Sequence, residues 1–255
     1  MLQTINDIQP KGESDGERWP KTDDCFKTET FAAIAAIHSC RSSTSHNPAL
    51  IAFPGSKETE IDVCCAVCGL HIGVLPPSPG NGNKLGLCMA VSLFVRKDKN
   101  VSVAIGYEDG SIVLWDLHCF STLACGKLHT EPVMALTLDL DGFSGVSGSA
   151  ENSIIIFSIN YDAKEINQTI NVELGKKAQG VADVTLSGGL IAVAGWDGKI
   201  RVFKKKNGRP LAVLRYHQKD ASAVAFGSKT RLLASGARDG TIAVWDVYAH
   251  DCRPV

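Results

Sequence analysis

The chain has 255 residues, of which 44% are hydrophobic and 21% charged, and its formal net charge at pH 7 is −1. This composition is typical of a globular protein. The near-zero charge gives no electrostatic reason to expect direct binding of nucleic acid or of an anionic membrane. No apolar run is long enough to span a bilayer, and residues 1–20 lack the pattern of a signal peptide. We therefore expect a cytoplasmic and/or nuclear protein.

The chain opens with a polar N-terminal segment, residues 1–24. Leu2–Ile5 has the pattern of the outer strand that normally follows a Trp-Asp strand. Residues 6–24 are polar and charged without an apolar period, which predicts a loop or disorder. The remaining residues, 25–255, are predicted to form one repeat domain.

The first, weak copy of the repeat, GSKETEIDVCCA (55–66), has its aromatic position at Cys64. Together with Cys68, this region contains a C-x-x-C spacing. A structural zinc site would need a second pair of ligands, which the sequence does not offer. The nine cysteines are scattered, as expected of small buried hydrophobic residues in a reducing compartment. We predict no metal and no cofactor.

Four clearer copies follow, each a Gly- or Asp-rich turn leading into an apolar strand. They are GYEDGSIVLWDL (106–117), GSAENSIIIFSI (148–159), AGWDGKIRVFKK (194–205) and GARDGTIAVWDV (236–247). Their aromatic positions, Trp115, Phe157, Phe203 and Trp245, are 42, 46 and 42 residues apart. Apolar segments before and after each turn complete four predicted strands per repeat. A period of about 40–45 residues indicates a β-propeller with one four-stranded blade per repeat. Blade-ending strands are predicted near residues 64, 115, 157, 203 and 245.

These turns and strands resemble those of WD-repeat proteins. In that family an inner-loop His, a strand Ser or Thr, the turn Asp and the Trp form a buried hydrogen-bonded set. The resemblance implies such a structural tetrad in the last repeat, which matches at every position: His217, Ser235, Asp239 and Trp245.

Two repeats depart from the tetrad. The repeat ending at Phe157 has His129 and Ser147, with Asn152 interpreted as the replacement for the turn Asp. The repeat ending at Phe203 has its turn Asp but no indole. We expect packing, more than polar networks, to hold these two blades.

Over residues 48–250, and most strongly from residue 101, the chain is similar to the guanine nucleotide-binding protein β-subunit-like family. The segments that carry this resemblance are GYEDGSIVLWD, HTEPVMAL, SGSAENS, AGWDGKIRVF and PLAVLRYHQKDASAVAF. The family includes an animal co-chaperone component and the plant protein called decreased size exclusion limit. Its members resemble seven-bladed rings, whereas about five blades are recognisable here. The resemblance therefore implies that N-terminal blades are lacking, as in a truncated isoform or an incomplete gene model.

No G-x-S-x-G, phosphate-binding Gly loop or H-E-x-x-H is present, and we predict neither catalysis nor a small-molecule substrate. The resemblance implies a protein-interaction scaffold in a co-chaperone or chromatin-associated assembly, with the co-chaperone adaptor of phosphatidylinositol-3-kinase-like kinases as a partner. The plant relative implies an alternative, regulation of cell-to-cell transport through plasmodesmata. A G-protein β-like signalling subunit is a further alternative, but no heptad pattern precedes residue 31 to hold a γ-subunit.

Partner-binding residues are expected in the turns and loops outside the tetrad. Trp196 is the first candidate: its indole is either partly exposed as an interface anchor or folded back over its neighbouring blade. The run Lys204–Lys206 is interpreted as solvated hairpin charge, with a basic patch or nuclear signal as the alternative. The further partner-binding candidates are Tyr107, Glu108, His129, Glu131 and Arg238.

Overall fold

A computed structural model describes residues 35–37, 50–55, 57, 59–65, 69–77, 85–175, 178–227, 230 and 232–247. Within these ranges every regular element is a β-strand, and no helix is present that is long and apolar enough to cross a membrane. The predicted N-terminal segment 1–24 lies outside the described residues.

The strands form antiparallel up-and-down sheets, here called blades 1 to 5 in chain order. In the described residues, blades 1 to 4 have four strands and blade 5 has three. One parallel pair, Glu165 with Cys125, joins the outer strands of blades 2 and 3. The strands are β1 (Ala35–Ile37), β2 (Leu50–Pro54), β3 (Ile61–Cys65) and β4 (His71–Leu75) in blade 1; β5 (Cys88–Val95), β6 (Val101–Tyr107), β7 (Ser111–Asp116) and β8 (Ser121–Lys127) in blade 2; β9 (Val133–Leu138), β10 (Ser144–Ser149), β11 (Ser153–Asn160) and β12 (Glu165–Glu173) in blade 3; β13 (Val181–Ser187), β14 (Leu190–Gly195), β15 (Lys199–Lys204) and β16 (Arg209–Arg215) in blade 4; and β17 (Ala221–Phe226), β18 (Leu232–Ala237) and β19 (Ile242–Asp246) in blade 5.

The third strands of blades 2 and 3 are apolar on both faces because each of these blades packs between two neighbours. In β11, Ile154 and Ile156 contact blade 4, whereas Ile155 and Phe157 contact blade 2. Successive side chains of a strand point to opposite faces, so a strand that buries both faces reads as a continuous apolar run. This arrangement explains why β11 has four large apolar residues in succession.

In the part of the chain that the structure describes, the core consists of four hydrophobic clusters, and each cluster is shared by two consecutive blades. Blades 1 and 2 share a cluster that includes Val63 and Trp115, and blades 2 and 3 share a second cluster that includes Leu114 and Phe157. Two further clusters join blade 3 to blade 4 and blade 4 to blade 5. The all-β propeller predicted from the repeat period is confirmed.

Strand connections alternate between the two ends of the blades, which creates two surfaces. The loop face carries the turns between second and third strands together with the loops between blades. The hairpin face carries the other turns. Contacts between neighbours show that the blades share this orientation: Gly110 in a blade 2 turn lies against the His129 carbonyl group, and Gly198 in a blade 4 turn lies near that of Lys219.

Candidate protein-interaction surface

The loop face of blade 5 is held by a chain of hydrogen bonds that begins at Trp245. Trp245 Nε1 donates to Ser235 Oγ over 2.9 Å, and Ser235 Oγ lies 2.8 Å from His217 Nε2. On the other side of the imidazole, His217 Nδ1 lies 2.8 Å from Thr241 Oγ1, which donates to Asp239 Oδ1 over 2.6 Å. The four residues of the tetrad therefore lie together, with Thr241 inserted between His217 and Asp239.

The donors and acceptors in this series of hydrogen bonds assign one tautomer to His217. The ionised Asp239 can only accept, so Thr241 donates to it and accepts from His217 Nδ1–H. Ser235 accepts from the indole and donates to the unprotonated Nε2. Burial lowers the pKa of His217 below its ordinary value, against the opposing attraction of Asp239. The imidazole is thus neutral and has a partner at each nitrogen.

Asp239 also fixes the loop that precedes its blade. Its Oδ2 accepts from the backbone N–H of Gln218 over 2.7 Å, and its Oδ1 accepts from that of Thr241 over 2.9 Å. Together with the Thr241 hydroxyl, these donors hold the pKa of Asp239 well below its usual range. A deprotonated turn carboxylate therefore ties the second turn of the blade to its entry loop.

Blade 3 uses Glu151 for the same task, which corrects the assignment of Asn152. His129 Nε2 lies 2.8 Å from Ser147 Oγ, and His129 Nδ1 lies 3.5 Å from Glu151 Oε2. The other oxygen, Oε1, accepts from the backbone and hydroxyl of Thr130 over 2.9 and 2.6 Å. Glu151 has the same separation from Ser147 as Asp239 has from Ser235, and alignment on the strand Ser would have identified it.

Blade 4 holds its turn carboxylate with cations. Arg201 donates to both oxygens of Asp197 over 2.9 and 2.7 Å, and Lys199 Nζ lies 2.9 Å from Oδ2. Burial alone would raise the pKa of Asp197, but the hydrogen bonds from Arg201 and Lys199 outweigh it and lower that pKa to about 2. Blades 3 and 4 therefore have polar networks built from other residue types, in addition to the apolar clusters that pack them. That packing contributes more than these networks, as expected from the sequence, stays a prediction.

Blade 2 retains only the turn portion of the network. Asp109 accepts from the backbone and the hydroxyl of Ser111 over 2.9 and 2.8 Å. Ile105 occupies the position that Ser235 has in blade 5, so the buried Trp115 Nε1 has no hydrogen-bond partner among the described residues. Trp115 is therefore anchored by the apolar cluster between blades 1 and 2.

The six partner-binding candidates divide by exposure. Tyr107 and His129 are 0% and 2% exposed, so the structure corrects the expectation that their side chains contact a partner. Tyr107 lies in the cluster between blades 1 and 2, and His129 belongs to the blade 3 network. Glu108, Glu131 and Arg238 are exposed on the loop face, where Arg238 lies 3.4 Å from Asp220.

Trp196 is half-buried and lies over its own blade. A Cβ atom on Gly180 would approach the indole Cε3 to 2.5 Å, so the ring rests on the bare backbone that leads into β13. The backbone N–H of Trp196 donates to the Gly180 carbonyl group over 3.1 Å. One face of the ring therefore packs on backbone, and the residue keeps part of its surface exposed to solvent.

The described residues contain no group of three His, Cys, Asp or Glu side chains that could hold a metal ion. Cys88 is buried, and burial raises the pKa of its thiol to about 12. A thiol in this environment stays protonated and packs as an apolar side chain.

Comparisons with known proteins agree with this arrangement. Residues 208–246 match the family model "WD domain, G-beta repeat". A computationally designed protein, Ika4, has the same kind of fold, with a TM-score of 0.53 and 24% identity over 64% of this chain and 93% of that one. That likeness concerns the fold alone.

Three curated relatives match over most of the chain. Guanine nucleotide-binding protein subunit beta-like protein 1 of Mus musculus is 31% identical over 78% of this chain and 60% of its own length. ASTRA-associated protein 1 is 29% identical in Schizosaccharomyces japonicus and 27% in Schizosaccharomyces pombe, each over 71% of this chain and 53% of the relative. The chain thus spans a little over half the length of these relatives. It is a WD-repeat β-propeller protein and a homologue of guanine nucleotide-binding protein subunit beta-like protein 1 and of ASTRA-associated protein 1.

Proposed function

We propose that this chain is a non-catalytic scaffold in a co-chaperone or chromatin-associated assembly that serves phosphatidylinositol-3-kinase-like kinases. Its partners are proteins, among them the co-chaperone adaptor of these kinases, and it acts in the cytoplasm, the nucleus or both. The observation that carries the proposal is the loop face itself: an indole, a guanidinium group and two carboxylates are presented on turns and loops that polar networks hold in place.

The titratable groups of the loop face favour binding over catalysis. His217 and Asp239 bind each other through Thr241, and Asp197 is engaged by Arg201 and Lys199. A general acid or base has to reach a proton of the substrate, whereas the side chain of His217 is 0% exposed and those of Asp239 and Asp197 are almost buried. Their arrangement supports a rigid platform.

The choice of assembly rests on the relatives. The fungal homologues are named for association with ASTRA. Separately, the family resemblance of the sequence implies a co-chaperone or chromatin-associated setting. An association of this kind requires a protein surface, which the loop face offers.

The test is affinity purification of the tagged chain from native extract, with mass spectrometry of the proteins that co-purify. We expect recovery of the kinase co-chaperone adaptor. Trp196→Ala should lower that recovery by about tenfold or more, because aromatic anchors at interfaces contribute disproportionately to affinity. The matched control is Phe143→Ala, which removes an exposed aromatic side chain from the hairpin face.

Equal recovery with both variants would remove Trp196 from the interface. Recovery of general chaperones alone would contradict the scaffold assignment for this chain. The melting midpoint of each variant, followed by circular dichroism, separates lost binding from lost folding.

A further inference from the structure

The outer hairpin of blade 4, formed by β15 and β16, concentrates positive charge in a chain whose net charge is −1. Residues 199–215 contain no Asp or Glu. Basic side chains directly opposite each other in a sheet repel, and the register of β15 with β16 pairs Lys204 with Arg209. The basic residues of this segment are Lys199, Arg201, Lys204, Lys205, Lys206, Arg209 and Arg215.

Part of this charge is neutralised within the protein. Lys199 and Arg201 bind Asp197, and Lys205 Nζ binds Asp139 of blade 3. Among the ion pairs of the described residues, none involves Lys204, Lys206 or Arg209. The hairpin face of blade 4 therefore carries three cations without an acidic partner in this part of the chain.

Two of these cations, Lys204 and Lys206, border a cleft with apolar walls. The cleft has a volume of about 570 Å³ and is lined by Leu190, Leu211, the Gly188–Gly189 turn and the lysines 204–206. Leu211 is 49% exposed, although it lies in a strand between basic residues. Apolar side chains and uncompensated charge of one sign thus share a single recess.

Contacts of Lys205 hold one wall of the cleft from two sides. Lys205 donates its backbone N–H to the Gly189 carbonyl group over 2.8 Å, which joins the two hairpins of the blade. Its ammonium group binds Asp139 and donates to Ser144 Oγ over 2.7 Å, which joins the hairpin to blade 3. A recess held from two sides requires little ordering on binding, and this favours affinity.

We propose that this cleft is a docking site for an acidic segment of a partner protein, with one apolar side chain of the segment against Leu190 and Leu211 and its carboxylates at Lys204 and Lys206. The site deepens the proposed scaffold function and rests on it. The apolar walls favour a peptide over nucleic acid, because a nucleic-acid site would follow a phosphate backbone with more cations than these. Electrostatic complementarity then selects an acidic segment.

The probe is a short fluorescein-labelled synthetic peptide of Glu, Asp and Leu, titrated with the purified chain and followed by fluorescence anisotropy. The comparison peptides replace its acids by Gln and Asn, or its Leu by Ser. An oligouridine of the same net charge tests the nucleic-acid alternative. We expect the Glu/Asp/Leu peptide to bind about tenfold more tightly than any of these.

Lys204→Glu/Lys206→Glu should weaken binding about tenfold or more, and Leu211→Ser should weaken it several-fold without changing the charge. The control, Lys127→Glu/Lys219→Glu, makes the same charge change at exposed positions outside the cleft. Equal weakening by the control, tighter binding of the oligouridine, or no binding of the acidic peptide would each overturn the proposal. The peptide titration needs no cellular partner. A negative result in the affinity purification that tests the scaffold function therefore does not change how the titration is interpreted.

Discussion

Ser235 serves two buried rings with one hydroxyl group, accepting from Trp245 and donating to His217. Ser235→Ala should lower the free energy of unfolding by about 1–3 kcal/mol, since a buried indole N–H and an imidazole nitrogen lose their partner. Urea denaturation measures the loss. Ser147→Ala is the matched control: that hydroxyl contacts His129 but no indole, so its removal should cost less, and an equal cost would contradict the shared role of Ser235.

How well individual residues could be predicted depended on how complete the pattern was. The last repeat has every tetrad position, and its four side chains lie together as expected. Glu151 was missed because the turn of blade 3 was aligned one residue away, at Asn152. Thr241 was missed because its relay between His217 and Asp239 is a matter of side-chain geometry, which no spacing rule specifies.

At the scale of the elements, the tight turn between β6 and β7 depends on Gly110. Its φ is +87°, and a Cβ there would meet the His129 carbonyl oxygen at 2.0 Å. Gly110→Ala should destabilise the fold by about 3 kcal/mol or more, because backbone strain adds to a clash with immobile backbone. Gly240→Ala, with φ +79° and no neighbour within 4 Å, should cost only the strain, about 1 kcal/mol. Thermal melts of the two variants test the difference, and equal midpoints would refute it.

Strands were easier to predict than the surroundings of their ends. The apolar runs and the Asp-Gly turns reflect local chemistry, so β7, β15 and β19 follow from the sequence. Tyr107 ends β6 beside a turn and was expected at the surface. Its burial is set by the neighbouring blade 1, against which β6 packs, and a local pattern does not contain that neighbour.

For the whole molecule, two neutral histidines predict a loss of stability in mild acid. Burial lowers the pKa of His129 and of His217 below the ordinary value of 6.5. The unfolded chain therefore takes up protons first as the pH falls below 6.5, and the free energy of unfolding decreases there, while it is insensitive to these groups at higher pH. Glu151 and Asp239, whose pKa values are also lowered, extend the loss below about pH 4.

Urea midpoints between about pH 7.5 and pH 5 test this dependence. The variant His129→Gln/His217→Gln should be less stable at neutral pH and should show a flatter profile over that range. A wild-type midpoint that stays constant from neutral pH down to about pH 5 would contradict the prediction.

Each core cluster is shared by two consecutive blades. The sequence repeat is therefore one blade, whereas the unit of packing is the interface between two blades. An inner blade cut out at its sequence boundaries would contain half of the residues of two clusters and no complete cluster. Recombination, deletion or grafting of a single blade therefore has to rebuild two contact surfaces at once. The set of residues that has to be exchanged together is instead the interface between two neighbouring sheets. One example is Ile155 and Phe157 on one side of β11, together with Leu114 on the facing side of β7.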